Sequence, residues 1–398
     1  DRYTYDESAP VVTSLVPPAG PRAGGHRVKI TGTDLSGATA VSFGGIAAAS
    51  FTVDSDTQIT AITPAHAGGT VDVTVTTPGG TSLASAADQY TFIPAPKHTV
   101  LYVANNGDGT VKIYDLAAGT ITASIATGPV PFEVQLNPAA TQAWVSDAGG
   151  STVTIIDTAT HAVTGTITTG PSPAAVAFTP DGATAYVSNS GNGTLSGNGS
   201  IAVVDTATDT VTATIAVGGD PRDSAVTPDG SALYVADHTQ GVVYAISTAT
   251  GTITKVIGLT GTFPAGLAIS PDGSAVYVAN NGTANVSVIS TATSTVTATI
   301  GVGDHPSAVA FTPDGTAAYV VNNGAGTVSA ISTATGTVTA TIPVGAGPLN
   351  VAINPAGTTA YVTNGKDNTI SVIDTATNTV TGLATGFSTP RGITVAPH

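Results

Sequence analysis

Residues 170–189, with the sequence GPSPAAVAFTPDGATAYVSN, decide the fold because their pattern recurs along most of the chain. A proline is followed seven residues later by a second proline, and an aromatic residue followed by valine comes shortly afterwards. The proline pairs are Pro131/Pro138, Pro173/Pro180, Pro221/Pro228, Pro264/Pro271, Pro306/Pro313, Pro348/Pro355 and Pro390/Pro397. The aromatic residues are Tyr102, Trp144, Tyr186, Tyr234, Tyr277, Tyr319 and Tyr361, separated by 42, 42, 48, 43, 42 and 42 residues. A fixed period of this length indicates a repeat architecture.

Each repeat reads as four short strands separated by turn residues. A strand with the pattern PxxVAF leads through a Pro-Asp-Gly turn to the AYVSN strand, and Asn-Gly and Thr-Ala-Thr turns separate the last two strands. Four strands per repeat are typical of a propeller blade. The first repeat lacks its PxxV strand, and residues 390–397 supply one. We therefore predict an all-β protein with a seven-bladed β-propeller, whose first blade is closed by the C-terminal strand beside residues 101–105.

The repeats resemble the YVTN family of β-propeller repeats. Tyr361-Val-Thr-Asn364 is the name sequence itself, and residues 186–189 and 277–280 are near copies. The resemblance covers residues 98–398, with Trp144 in place of tyrosine and a loop, Gly191–Ser200, that is six residues longer than its counterparts. It implies a secreted or surface protein of bacteria or archaea, without one shared activity.

Residues 9–93 contain about seven short alternating runs, which indicate a small Ig-like β-sandwich. The segments 17–20, 24–25, 30–32, 43–45 and 77–80 resemble the IPT/TIG immunoglobulin-like domain. That family implies a spacer or an interaction unit. The sequence DRYTY at 1–5 is similar to DQYTF at 88–92, so we expect residues 1–8 to be the remnant of a preceding copy, with further Ig-like repeats upstream. Residues 94–97, PAPK, form a stiff linker to the propeller at 98–398.

Composition excludes several classes of function. The formal net charge of −15 argues against binding to a nucleic acid backbone. The chain has no cysteine, so it has neither disulfides nor thiolate metal sites. No apolar run is long enough for a transmembrane segment. We expect an extracellular protein, secreted or attached to a cell surface.

Charged residues that break the repeat fall mostly on one face of the propeller, which we call the top face. This face carries the loops from second to third strands and from fourth strands to the next blade. Pro-Asp-Gly and Asp-Thr-Ala-Thr turns occupy the opposite face. Irregular residues on a regular scaffold commonly carry function. The candidate ligand-binding residues are Phe132, Glu133, Arg222, Asp223, Asp237, His238, His305 and Arg391.

The residues just after the first proline of a repeat have two readings. Glu133, the one glutamate of residues 98–398, acts as a general base or ligand anchor, or it forms a salt bridge to Arg391 or Arg222. Arg222 and Asp223 grip a carboxylate or a sugar, or they form a local ion pair. Phe132 is a stacking platform for a sugar or an aromatic group, or it contributes only to packing.

The two histidines in top-face loops are also open to two readings. His238 and His305 are metal ligands or an acid–base pair, because imidazole titrates near neutral pH, or they are solvated loop residues. No cofactor is predicted, with a divalent cation as the alternative.

Three functions fit these patterns. The first is a non-enzymatic recognition or adhesion module of a secreted or cell-surface bacterial protein, which binds a protein or glycan through the top face. The second is an enzyme at the channel mouth that resembles the metal-dependent lyase type of seven-bladed propeller; a cluster of Glu133, a histidine and an acidic residue would favour it. The third is a structural spacer, favoured if loops such as Gly191–Ser200 plug the mouth.

Overall fold

The computed structural model describes residues 8–22, 24–93, 99–191 and 197–397. The chain divides into two compact units, Asp1–Lys97 and His98–His398, and every regular element described in them is a β-strand. The predictions made for residues 1–7, for the linker at 94–97 and for the centre of the loop after Asn189 lie outside the described residues. Among the described residues, no helix has the length and hydropathy of a membrane span.

The first unit is a two-sheet sandwich of ten strands. Their bounds are β1 Val11–Val16, β2 Ala19–Pro21, β3 Arg27–Thr33, β4 Ala40–Phe43, β5 Ile46–Ala47, β6 Ser50–Ser55, β7 Gln58–Ile62, β8 Gly69–Thr77, β9 Gly80–Thr81 and β10 Gln89–Ile93. One sheet has the order β1-β3-β7-β6, and the other has the order β2-β10-β8-β4-β5, with β9 paired to β8. Alternation along β3 and β8 buries Val28, Ile30, Val73 and Val75 between the sheets.

The second unit consists of seven four-stranded antiparallel sheets. The inner strands, which line the central channel, are β14 Pro131–Leu136, β18 Pro173–Phe178, β22 Pro221–Val226, β26 Pro264–Ile269, β30 Pro306–Phe311, β34 Pro348–Ile353 and β38 Pro390–Pro397. The second strands are β11 Thr99–Asn105, β15 Gln142–Asp147, β19 Thr184–Asn189, β23 Ala232–Asp237, β27 Ala275–Asn280, β31 Ala317–Asn322 and β35 Thr359–Asn364. The third strands are β12 Thr110–Asp115, β16 Thr152–Asp157, β20 Ser200–Asp205, β24 Val242–Ser247, β28 Asn285–Ser290, β32 Thr327–Ser332 and β36 Thr369–Asp374. The outer strands are β13 Thr120–Ala126, β17 Val163–Thr168, β21 Thr210–Ala216, β25 Thr252–Gly258, β29 Thr295–Gly301, β33 Thr337–Pro343 and β37 Thr379–Ala384.

The C-terminal strand closes the ring. Blade 1 has the order β38-β11-β12-β13, with Val103 opposite Ile393, and blades 2 to 7 each use four consecutive strands. Neighbouring inner strands contact one another around the ring, and β38 contacts both β34 and β14. The predicted all-β fold, with a seven-bladed propeller closed by the C-terminal strand, is therefore confirmed.

Apolar residues of the middle strands fill the space between neighbouring blades. One cluster joins Tyr102 and Ile113 of blade 1 to Val134 and Val145 of blade 2, and comparable clusters follow around the ring. Asp side chains fix the turns opposite the top face: Asp181 accepts hydrogen bonds from the Thr179 hydroxyl and from the amide of Ala183. The recurring Asp residues therefore stabilise turns.

Candidate functional site

A β-bulge follows the first proline of every inner strand. Each inner strand begins at a proline, and the pairing register to the second strand shifts at the next residue, as between Pro131 and Glu133. A bulge leaves one residue unpaired and redirects its side chain. The bulged residues in blades 2, 4 and 1 are Phe132, Arg222 and Arg391, and all three point into the top of the central channel.

The channel contains a cavity of about 660 Å³. Its wall includes Phe132, Glu133, Arg222, Asp223 and Arg391, which lie on three different inner strands. Residues 98–398 contain only one glutamate and two arginines, and all three line this cavity. The rarest charged side chains of the propeller therefore converge on one place.

Arg391 lies inside the cavity wall and carries its charge without an ion pair among the described residues. Its guanidinium carbon lies 3.5 Å from the centroid of the Phe132 ring, which is a cation–π contact. Its backbone carbonyl accepts a hydrogen bond of 2.7 Å from the Thr363 hydroxyl. Burial, followed by repulsion from the positive charge of Arg222, lowers the pKa of Arg391 to about 10. Phe132 therefore serves as a support for Arg391, and the ring face covered by the guanidinium is not available to a sugar.

Arg222 is held by Asp220 instead of Asp223 or Glu133. Its Nε lies 2.9 Å from Oδ2 of Asp220, and the two terminal amino groups of Arg222 form no ion pair with any described residue. Asp220 is buried, and its amide donates to Oδ1 of Asp237 at 3.1 Å. A bonded Nε orients the planar guanidinium, so its terminal nitrogens are preorganised to bind an anion.

Two carboxyl groups lie in the same cavity, and both bind protons more tightly than usual. Oδ1 of Asp223 accepts from the amide of Ser224, and Oδ2 accepts from the amide of Leu267 in the next blade, both at 2.8 Å. Removal from bulk water raises the pKa of Asp223 to about 7. Burial and the nearby Asp223 raise the pKa of Glu133 well above its usual value, although Arg391 opposes the shift. No hydrogen bond or ion pair reaches the Glu133 carboxyl from the described residues.

His238 occupies a position that serves as a clamp between blades. The residue after the second strand donates a hydrogen bond to the carbonyl of the first inner-strand proline in the next blade. Asn281 bonds Pro306, and Asn323 bonds Pro348, at 3.2 and 2.8 Å. Nδ1 of His238 lies 3.1 Å from the Pro264 carbonyl, so Nδ1 carries the proton, because a carbonyl only accepts. Burial, followed by Arg222, lowers the pKa of His238, so the neutral ring turns Nε2 into an acceptor.

The structure does not bring all predicted residues together. Asp237 is fully buried, and Oδ1 of Asp237 accepts from the amides of Asp220 and Gln240, so this residue supports the entry loop and is not presented to a ligand. His305 lies in a top-face turn, with its side chain 55% exposed and Nδ1 3.0 Å from Asp304, outside the cavity lining. Among the described residues no ion pair joins Glu133 to Arg222 or Arg391, or Arg222 to Asp223, so the ion-pair alternative is not formed for either group. Asn281 and Asn323 line the cavity and were missed, because Asn-Asn-Gly reads as a turn signal.

The described residues offer no metal centre. No group of three His, Asp or Glu side chains among them is close enough to hold a metal ion. Glu133, His238 and Asp223 line one cavity, but they are not close enough together to hold a metal ion, so the tight cluster that would favour the metal-dependent lyase is not formed. The centre of the loop after Asn189 lies outside the described residues, so the plugged mouth of the spacer alternative stays a prediction.

Two family models match parts of the chain. Residues 10–92 match the model of the IPT/TIG domain, and residues 91–258 match the model of the lactonase family with a seven-bladed β-propeller. A comparison with curated proteins finds no match.

Many solved structures share the propeller fold. A structure of hydrazine synthase from Kuenenia stuttgartiensis has 27% identity and a TM-score of 0.55, and the match covers 61% of this chain and 76% of that one. A functionally unknown protein from Desulfotomaculum acetoxidans has 18% identity and a TM-score of 0.67, with coverage of 75% and 99%. The dihydro-heme d1 dehydrogenase NirN has 16% identity and a TM-score of 0.55, with coverage of 73% and 64%. The matches support an IPT/TIG domain followed by a propeller related in fold to lactonases and other enzymes.

Proposed function

We propose that the propeller binds a small, hydroxyl-rich organic anion at the top mouth of its channel, and that this binding is its recognition function. The observation that carries the proposal is the convergence of Arg222, Arg391 and Glu133 on one cavity. Arg222 and Arg391 repel each other, and Arg391 has no ion pair among the described residues. A carboxylate bound between the two guanidinium groups would be attracted by both and would offset their repulsion.

The remaining lining groups suit a ligand that also carries hydroxyl groups. The Glu133 carboxyl makes no hydrogen bond or ion pair with the described residues, and Asp223, Asn281 and Asn323 add hydrogen-bonding groups to the same wall. The channel cavity, which extends from the top mouth to Pro228 and Pro271 at the opposite end, has a volume of about 660 Å³, within the range of about 300–1,000 Å³ that is usual for small-molecule sites. An acidic sugar combines these properties, so a glycan ligand is favoured over a protein. An adhesive role and an extracellular or cell-surface location stay predictions from the sequence, as does the YVTN resemblance.

Titration calorimetry of the full chain with galacturonate, and with galactose as the uncharged control, tests the proposal. We expect galacturonate to bind and galactose to bind much more weakly. Arg222→Ala and Arg391→Ala should each weaken binding of galacturonate about 10- to 100-fold, because a charge-assisted hydrogen bond contributes about 1.5–3 kcal/mol. Lys255→Ala, which removes one exposed positive charge from an outer strand, is the matched control. Equal loss in all three variants would contradict a specific site.

A second candidate function is hydrolysis of a lactone at the same site. The lactonase family match over residues 91–258 and the pair of carboxyl groups beside Arg391 favour it. An ionised Asp223 would take a proton from water while the water oxygen attacks the lactone carbonyl, and Arg391 would stabilise the oxyanion. Protonated Glu133 would protonate the ring oxygen as the ester bond breaks, which yields a hydroxy acid, the anion class proposed above. Base uptake in a pH-stat with gluconolactone, compared between wild type and Glu133→Gln, tests it.

A further inference from the structure

A second cavity adjoins the channel on the top face. It has a volume of about 530 Å³, and its own wall includes Ala148, Ser172, Ser190, Gly191 and Asp220. It shares Phe132, Arg222 and Arg391 with the channel cavity. The two guanidinium groups therefore lie at the junction between two spaces, each large enough for a sugar unit.

The longer loop after Asn189 supplies part of this second wall. The Ser190 hydroxyl donates to the Pro221 carbonyl at 3.0 Å, and Asn198 forms a parallel bridge with Gly219. Gly191 packs so closely on Asn198 that a Cβ at Gly191 would lie 2.5 Å from Oδ1 of Asn198. The two described ends of the loop are thus fixed beside the strand that carries Arg222.

A ligand that uses both spaces has its negative charge in the middle. A carboxylate held at the junction by Arg222 and Arg391 leaves one side of its carrier facing the channel and the other side facing the second cavity. Hydroxyl groups of a sugar chain can bond to Ser172 and Ser190 in the second cavity and to Glu133 in the channel. This order of groups is that of an acidic oligosaccharide.

We propose that the site takes the end of an acidic oligosaccharide, with one sugar unit in the channel, the next unit in the second cavity and a carboxylate between the two arginines. The inference rests on the proposed function and adds a second subsite to it. A peptide is the less suitable occupant, because the second cavity offers small and hydroxylated residues and lacks a deep apolar pocket in its described wall.

Titration calorimetry of the full chain with galacturonate, digalacturonate, trigalacturonate and hexaglutamate tests the inference. We expect digalacturonate to bind about tenfold or more tightly than galacturonate, and trigalacturonate to add little, because two subsites are filled by two units. Ala148→Phe narrows the second cavity and should bring the ratio of the two affinities to about one. Asn106→Phe, the same position in blade 1 and outside both cavity walls, should leave that ratio as in the wild type.

The outcomes separate the two claims. If galacturonate binds and digalacturonate binds no more tightly in the wild type, the second subsite is refuted while the proposed function stands. Tighter binding of hexaglutamate than of digalacturonate would replace the saccharide with a peptide. If no uronate binds, the proposed function and this inference both fail.

Discussion

Replacement of Asp147 by Asn should stabilise the propeller at neutral and alkaline pH. Asp147 ends the second strand of blade 2, where five other blades have Asn. It is fully buried, its Oδ2 accepts from the hydroxyls of Thr152 and Thr154, and its Oδ1 has no partner among the described residues. Burial raises the pKa of Asp147 above its usual value, so the ionised form is costly in the folded state.

The repeats show how an asparagine side chain would fit this position. Nδ2 of Asn322 donates to Thr327 and Ser329, which are the counterparts of Thr152 and Thr154. In blade 3 the pattern differs, because Oδ1 of Asn189 accepts from Thr169 while its Nδ2 has no partner among the described residues. The Asp147→Asn variant would thus keep its neighbours bonded while it removes a buried charge, although its Oδ1 would stay without a partner, as in Asn280, Asn322 and Asn364. Since each unit by which a pKa is raised in the folded state corresponds to about 1.4 kcal/mol lost on ionisation, we expect a gain on the order of 1 kcal/mol at pH 8.

Urea unfolding followed by the fluorescence of Trp144, the single tryptophan, measures the propeller without the sandwich. A raised folded-state pKa means that the wild type loses stability as pH rises from the unfolded value of 3.8 through the folded value. The advantage of Asp147→Asn should therefore be small at pH 4 and grow with pH, whereas the reverse change Asn322→Asp should destabilise. A loss of stability at pH 8, or a pH-independent gain, would refute the reasoning.

Three further predictions concern the ring and the site. Ile393→Ala should cost about 2–4 kcal/mol of unfolding free energy, because Ile393 is buried between blades and secures the closing strand. Leu383→Ala, at a side chain that is 58% exposed, should cost less than about 0.5 kcal/mol. Equal costs of the two variants in urea unfolding would contradict closure of the ring by the C-terminal strand. Galacturonate should bind more weakly above pH 7 than at about pH 5.5, because ionisation of Asp223, with a pKa of about 7, adds negative charge to the cavity. In calorimetry, Glu133→Gln should make the pH dependence of the affinity shallower. An affinity that increases with pH would exclude repulsion by these carboxylates. His238→Asn should leave the melting temperature nearly unchanged, since Asn281 and Asn323 donate to the equivalent proline carbonyls from blades 5 and 6. His238→Ala should lower the melting temperature, because it removes a hydrogen bond worth about 1 kcal/mol. Equal melting temperatures of the two variants would show that this hydrogen bond does not stabilise the propeller.

The fold could be predicted from the sequence because its determinants repeat. Seven proline pairs fix the starts of the inner strands, since proline lacks the amide that a mid-strand position needs, and the strand at 390–397 has no partner other than the open blade. The grouping of Phe132, Glu133, Arg222, Asp223 and Arg391 at the channel was also predictable from their common place after a proline. These positions follow from the spacing of the repeats alone.

The contacts within the site could not be predicted in this way. Spacing does not show the bulge that redirects Arg222, which recurs in every blade. It also does not show that the buried Asp220, in the entry turn of blade 4, holds the Nε of Arg222. Asp237 looked like an exposed loop charge but ends a buried strand. Asn281 and Asn323 looked like turn residues, although their side chains clamp the next blade.

The most direct test of a top-mouth anion site is a crystal structure of the full chain soaked with galacturonate. The ligand should lie in the channel mouth, with its carboxylate within hydrogen-bonding distance of both Arg222 and Arg391 and a hydroxyl near Glu133. Ligand bound instead against the Pro-Asp-Gly turns of the opposite face, with the channel mouth holding only solvent, would contradict the account.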